Sequence, residues 1–160
     1  MNKKLNINDK VISSSFGLGV IVDIERPEGT NRDFYVIESV DHNIRTMVPL
    51  EKSATFRLLT PESDLNNHLK KLSSEVPTPD FESKKDRITY FKGQVTHQNI
   101  DEVFMNVRTL VSISDRGAAE TRILSNFLDN IVLEVMTVFD IDENQAKELV
   151  NNSLQEKFKI

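Results

Sequence analysis

Cysteine and tryptophan are absent from these 160 residues, and glycine and proline occur five times each. Without cysteine the chain has no disulfide and no thiolate metal site, and its composition agrees with a reducing compartment. No apolar stretch approaches the roughly 18 residues that a membrane-spanning helix needs, and the amino terminus has no signal-like pattern. The expectation is a cytoplasmic protein that makes no use of a membrane. An excess of positive charge is missing as well: 20 basic side chains face 25 acidic ones, for a formal net charge of -5. Residues 1–60 carry 8 basic and 8 acidic side chains, residues 61–83 carry 2 and 5, and residues 84–160 carry 10 and 12. A protein that holds DNA by itself needs a basic surface to neutralise phosphates. Tight, autonomous DNA binding is therefore not expected, and any DNA contact is weak and delivered by a stronger partner.

Catalytic patterns are also lacking. The three histidines, His42, His68 and His97, lie far apart in polar contexts and form no metal-ligand spacing, so each is expected at a solvated surface. Ser13-Ser14-Ser15 has no nucleophile-elbow pattern. Phe16-Gly17-Leu18-Gly19 lacks the third glycine, the lysine and the following helix of a phosphate cradle. Asp140, Asp142 and Glu143 are out of register with a calcium loop and suit the first turn of a helix. No enzyme, metal site or cofactor is expected.

Two kinds of periodicity are present. Between Lys10 and Leu59 short apolar alternations are punctuated by turn residues. Val20, Val22 and Ile24 alternate with Ile21, Asp23 and Glu25, and Gly17 and Gly19 mark a bend that leads into that strand. Pro27-Glu28-Gly29 is a turn, Asp33–Glu38 and Ile44–Val48 read as further strands, and Pro49 closes the last. Four or five such strands make a small barrel, with Ile24, Phe34, Val36 and Val48 expected in its core. From Thr60 onward the spacing becomes helical. Thr60 is expected to cap a short helix with Pro61 at its first position, presenting Leu65, Leu69 and Leu72 on one face. Pro77 and Pro79 interrupt the chain. Beyond them, four helices are expected: one within 81–95, one capped by Asn99, one over about 118–139, and one capped by Asp142. The fold class is α+β, with an amino-terminal Tudor-like β-barrel module (1–60), a short helix and proline-containing linker (61–80), and a carboxy-terminal helical bundle (81–160).

The opening Lys10-Val11-Ile12 with Phe16-Gly17-Leu18-Gly19-Val20-Ile21, the Phe34–Ile37 strand, Ile44-Arg45-Thr46-Met47-Val48-Pro49-Leu50 and the closing Phe56–Thr60 resemble the RNA-polymerase-interacting module of the CarD/CdnL family. That module is shared with the transcription-repair coupling factor. Asp115–Leu124 is similar to a segment of the family's helical domain, so the resemblance covers nearly the whole chain in the family's domain order. It implies a bacterial, monomeric transcription regulator that docks on the β-subunit lobe of RNA polymerase and modulates the stability of open promoter complexes. Docking would use the strand ending in Val48-Pro49, which implicates Arg45, Met47 and Pro49, together with Arg26 in the preceding turn. The alternative for these residues is an exposed strand edge with solvated side chains. Most family members carry a DNA-wedging tryptophan at the start of the first bundle helix, and this chain has none. Phe81 is the nearby aromatic, either a substitute wedge or a residue packed on the bundle. Lys84, Lys85, Arg87 and Lys92 form a basic strip that suits phosphate contacts or a solvated helix face. A different role for the acidic bundle is that of an adaptor that recruits a protein to polymerase.

Overall fold

The computed structural model describes residues 4–40, 43–96 and 99–160, with Ser53 and Ala54 described by backbone alone. His42 and His97 lie outside the described residues. The chain divides into two compact units, Met1–Leu59 and Thr60–Ile160.

The first unit is an antiparallel sheet of β1 (Lys10–Ser13), β2 (Gly17–Glu25), β3 (Phe34–Ser39), β4 (Arg45–Pro49) and β5 (Arg57–Leu58), with a 3-10 segment over Leu50–Thr55. The strands lie in the order β4-β3-β2-β1-β5. Gly17 enters β2 with φ of 69°, a conformation glycine adopts without steric cost. Gly19 answers a different need, close approach: a Cβ there would lie 2.7 Å from Ile37 Cγ2.

Strand β2 departs from the simple alternation. Its pairing with β3 runs through Ile21↔Ile37 and resumes at Asp23↔Val36, which leaves Val22 as the extra residue of a bulge. Ile21 and Ile24 consequently both reach the core face, although they are three residues apart. The buried cluster is Leu5, Val11, Phe16, Ile21, Tyr35, Ile37, Val48 and Phe56, with Ile24, Leu50 and Leu58 partly buried against it. Val48 is thus in the core, whereas Val20 and Val22 are half-buried and Ile21 takes the place expected of them. On β3 the core face belongs to Tyr35 and Ile37, and Val36, also buried, points to the other side of the sheet.

The second unit contains α1 (Glu62–Lys70), α2 (Lys84–Gln94), α3 (Ile100–Ser112), α4 (Ala118–Phe139) and α5 (Glu143–Leu154). Helix α4 is the central element: Ile123, Leu124, Phe127, Leu128, Ile131, Val132 and Val135 recur at helical spacing and are all buried. Each such side chain contributes roughly 1.5–3 kcal/mol on burial. Side chains cap several helix starts. The Ser83 hydroxyl accepts from the Asp86 amide, Asn99 accepts from the Asp101 and Glu102 amides, and Asp142 accepts from the Gln145 amide. Helix α1 begins one residue later than expected. Pro61 holds the cap position, while Thr60 is buried and its amide donates to Glu134 Oε1 at 2.7 Å.

The segment between α1 and α2 is tied into this unit. Leu65, Leu69 and Leu72 belong to the helical core. Arg108 donates through Nε to the Ser74 carbonyl (3.2 Å) and through Nη2 to the Glu75 carbonyl (3.3 Å), and Lys157 Nζ reaches the Ser73 carbonyl at 2.6 Å. The Asn151 amide meanwhile holds both backbone groups of Ile160, at 2.9 and 3.2 Å. His68, expected in solvent, is half-buried and stacks on Phe104 with ring centroids 4.9 Å apart.

Candidate functional site

Strand β4 forms one border of the sheet. At one end of its pairing with β3 the Ser39 amide donates to the Ile44 carbonyl (2.8 Å), and at the other the Leu50 amide donates to the Asp33 carbonyl (3.0 Å). The register between them is continuous, from Glu38↔Arg45 to Phe34↔Pro49. Antiparallel partners alternate between pairs that exchange hydrogen bonds and pairs that do not. Ile44, Thr46, Val48 and Leu50 therefore turn their backbone groups toward β3, and Arg45, Met47 and Pro49 turn theirs toward the open edge. Pro49 fits this phase, because a residue without an N–H breaks no ladder bond at an outward position.

Three of the expected docking residues thus share one backbone phase and one face. Arg45 and Met47 are exposed, Met47 with 42% of its surface accessible, and Pro49 is half-buried. Their cross-strand neighbours are Glu38, Val36 and Phe34. Ile44, just ahead of β4, adds another exposed apolar side chain.

Arg26 is placed differently. It follows β2, whose last residue Glu25 pairs with Phe34, so it lies at the Pro49 end of the sheet. Arg45 is four strand positions from Pro49, about 13 Å along β4. The Arg26 guanidinium closes on the Asp33 carboxylate, Nε to Oδ1 at 2.8 Å and Nη2 to Oδ2 at 3.1 Å. These hydrogen bonds hold the Asp33 carboxyl below its ordinary pKa. Asp33 thus clips the β2–β3 turn with its side chain and β4 with its carbonyl.

In the helical unit the basic strip separates into two kinds of residue. Arg87 is 12% exposed and bonds Glu120, itself 1% exposed, through Nε and Nη2, and Asp115 through Nη1. The Glu120 carboxylate also accepts the Gly117 amide at 2.8 Å, which ties the pair to the start of α4. Hydrogen bonding from Arg87 depresses the Glu120 carboxyl despite its burial. Lys84 Nζ lies 3.1 Å from Asp115 Oδ2, and its hydrogen bond, followed by that of Arg87, depresses the Asp115 carboxyl. Lys85 and Lys92 are exposed and form no ion pair among the described residues.

Phe81 is half-buried against the helical core, with ring centroids 5.4 Å from Tyr90 and 6.1 Å from Phe91. Sequence reasoning overlooked Tyr90, which is 43% exposed and is the outermost ring of this trio. Its only sequence signal is its position beside Phe91, one residue off the buried stripe of α2. Among the described residues no group of histidine, cysteine, aspartate and glutamate has the arrangement of a metal site. No helix is long and apolar enough to cross a membrane among the described residues.

Residues 5–60 match the family model of the CarD-like/TRCF RID domain. The first unit is thus similar to that domain, which at the level of the family is a polymerase-interacting module. No curated protein gives a significant match to the chain.

Proposed function

We propose that this CarD-like protein is a non-enzymatic bacterial transcription regulator whose β unit docks on the β-subunit lobe of RNA polymerase by strand addition at β4. The observation that carries this reading is the backbone phase of β4: the residues whose backbone groups face outward, Arg45, Met47 and Pro49, also carry the side chains on which specificity would rest. Strand addition draws affinity from unpaired main-chain groups and specificity from alternate side chains. Arg26 acts at the Pro49 end of the sheet, preset by its bonds to Asp33.

In this reading the helical unit modulates the stability of the open promoter complex. A polymerase-bound tether raises the effective concentration of promoter DNA around a weakly binding surface, so a chain of net charge -5 needs no autonomous affinity for DNA. Phe81 and Tyr90 offer an aromatic edge, and Lys85 and Lys92, seven residues apart and so on one stripe of α2, supply phosphate contacts. Lys84 and Arg87 support that surface from their ion pairs with Asp115 and Glu120.

The test is retention of purified core polymerase by the wild-type chain and by an Arg45→Glu, Met47→Glu double variant. Retention by wild type and its loss in the variant is the expected result. Equal retention by both overturns the β4 assignment. Open-complex lifetime with purified polymerase and promoter then separates a direct DNA effect, which falls with salt, from a protein-recruiting adaptor, which leaves the lifetime unchanged.

A further inference from the structure

The clearest unneutralised positive charge in the helical unit lies away from the α2 strip. Arg108 and Lys157 converge on three consecutive carbonyls, those of Ser73, Ser74 and Glu75. Carbonyls orient these two cations without cancelling their charge, unlike the carboxylates that neutralise Lys84 and Arg87. Lys70 and Lys71, at the end of α1, are exposed and lie within a few residues of the same carbonyls. None of the four forms an ion pair among the described residues.

We propose that Lys70, Lys71, Arg108 and Lys157 form a second phosphate-contacting surface of the helical unit, for the backbone of duplex DNA. Three consecutive carbonyls span two Cα steps, about 8 Å of chain, so the anchored heads of Arg108 and Lys157 sit side by side. Two fixed cations provide a preset anchor, and the two lysines add freely rotating charges that can follow a phosphate chain. No base edge is read by such a surface: it positions the duplex and contributes no sequence preference. The choice of duplex DNA as the occupant rests on the polymerase-tethered reading above, whereas the charge arrangement stands without it.

The experiment is fluorescence anisotropy of the full chain with a labelled duplex of about 30 base pairs, three helical turns, titrated from about 50 to 200 mM salt. Lys70→Gln, Lys71→Gln is the test variant, since these side chains hold no hydrogen bond among the described residues, and a urea melt confirms that it remains folded. Loss of two phosphate contacts lowers the slope of log affinity against log salt by about 1.8. A Lys10→Gln, Lys52→Gln variant makes the same charge change in the β unit and keeps the wild-type slope. The proposal is overturned by no wild-type binding at about 50 mM salt, by a wild-type slope in the Lys70, Lys71 variant, or by an equal loss in the β-unit variant. Retention of polymerase is scored separately. Failure of polymerase docking appears there, whatever the DNA slopes.

Discussion

Replacing Met47 by proline removes an outward N–H while leaving the β3–β4 ladder whole. If Met47 faces the open edge, Met47→Pro breaks no bond within the sheet and costs about as much as an ordinary surface change, within roughly 1 kcal/mol. Thr46 lies one position away in the inward phase, opposite Ile37. Thr46→Pro removes a ladder bond and strands a buried carbonyl, a loss of about 3 kcal/mol or more. Toward a docked strand the order reverses. Met47→Pro leaves a partner carbonyl unpaired, about 1–3 kcal/mol, and forfeits about 1 kcal/mol of further side-chain burial. Together these weaken polymerase affinity by about thirtyfold to several hundredfold. Met47→Ala, which keeps the N–H, weakens it by only about fivefold. The assay pairs a polymerase-binding titration with urea melts of all three variants. Matching affinities for Met47→Pro and Met47→Ala, or a Met47→Pro protein as unstable as Thr46→Pro, would refute the assigned phase.

The Arg87–Glu120 pair makes the helical unit acid-sensitive. Because the folded-state carboxyl pKa of Glu120 is depressed, its contribution is complete above the unfolded value of about 4.3 and is lost as pH falls through the lower folded value. Glu120→Gln, which leaves Arg87 with Asp115 as its charged partner, costs about 1–3 kcal/mol at neutral pH and flattens the dependence of the urea midpoint on acid, whereas parallel profiles count against the pair. Gly19→Ala drives a Cβ into Ile37 and Phe16 and destabilises the β unit by about 1–3 kcal/mol, read as a lowered melting temperature; an unchanged one would refute the close approach. Arg108→Ala frees the Ser74 and Glu75 carbonyls at a global cost of about 1 kcal/mol, and it speeds limited proteolysis within 73–80; an unchanged cleavage rate would show that the bonds do not hold the segment.

Periodicity located most of the helical unit because α3, α4 and α5 each bury a continuous stripe, and α3 and α5 begin at side chains whose capping chemistry is local. Asn99 and Asp142 cap as expected. Thr60 does not, since its amide is engaged by Glu134, 74 residues away, and no local pattern records such a partner. The β2 alternation misassigned Ile21 for a related reason: a bulge at Val22 moves the inward phase by one residue, and β-branched residues on both sides of it look alike in sequence. At the candidate sites, Arg45, Met47 and Pro49 were legible as one strand face, but their outward backbone phase depended on the bonds at Ser39 and Asp33. The basic strip was legible only as charge. Asp115 and Glu120, 28 and 33 residues from Arg87, decide which of its members are neutralised.

The open border of β4 is very short. Arg45 and Met47 can each offer a complete donor and acceptor, and at Pro49 the donor is gone. A second molecule seeking to extend the sheet would meet an exposed cation at one end of this stretch and a missing hydrogen at the other. Long flat edges template open-ended β-stacking, and charge and proline are the usual defences against it. The same two residues that would select a docking partner therefore also guard a concentrated solution of this protein against fibre formation.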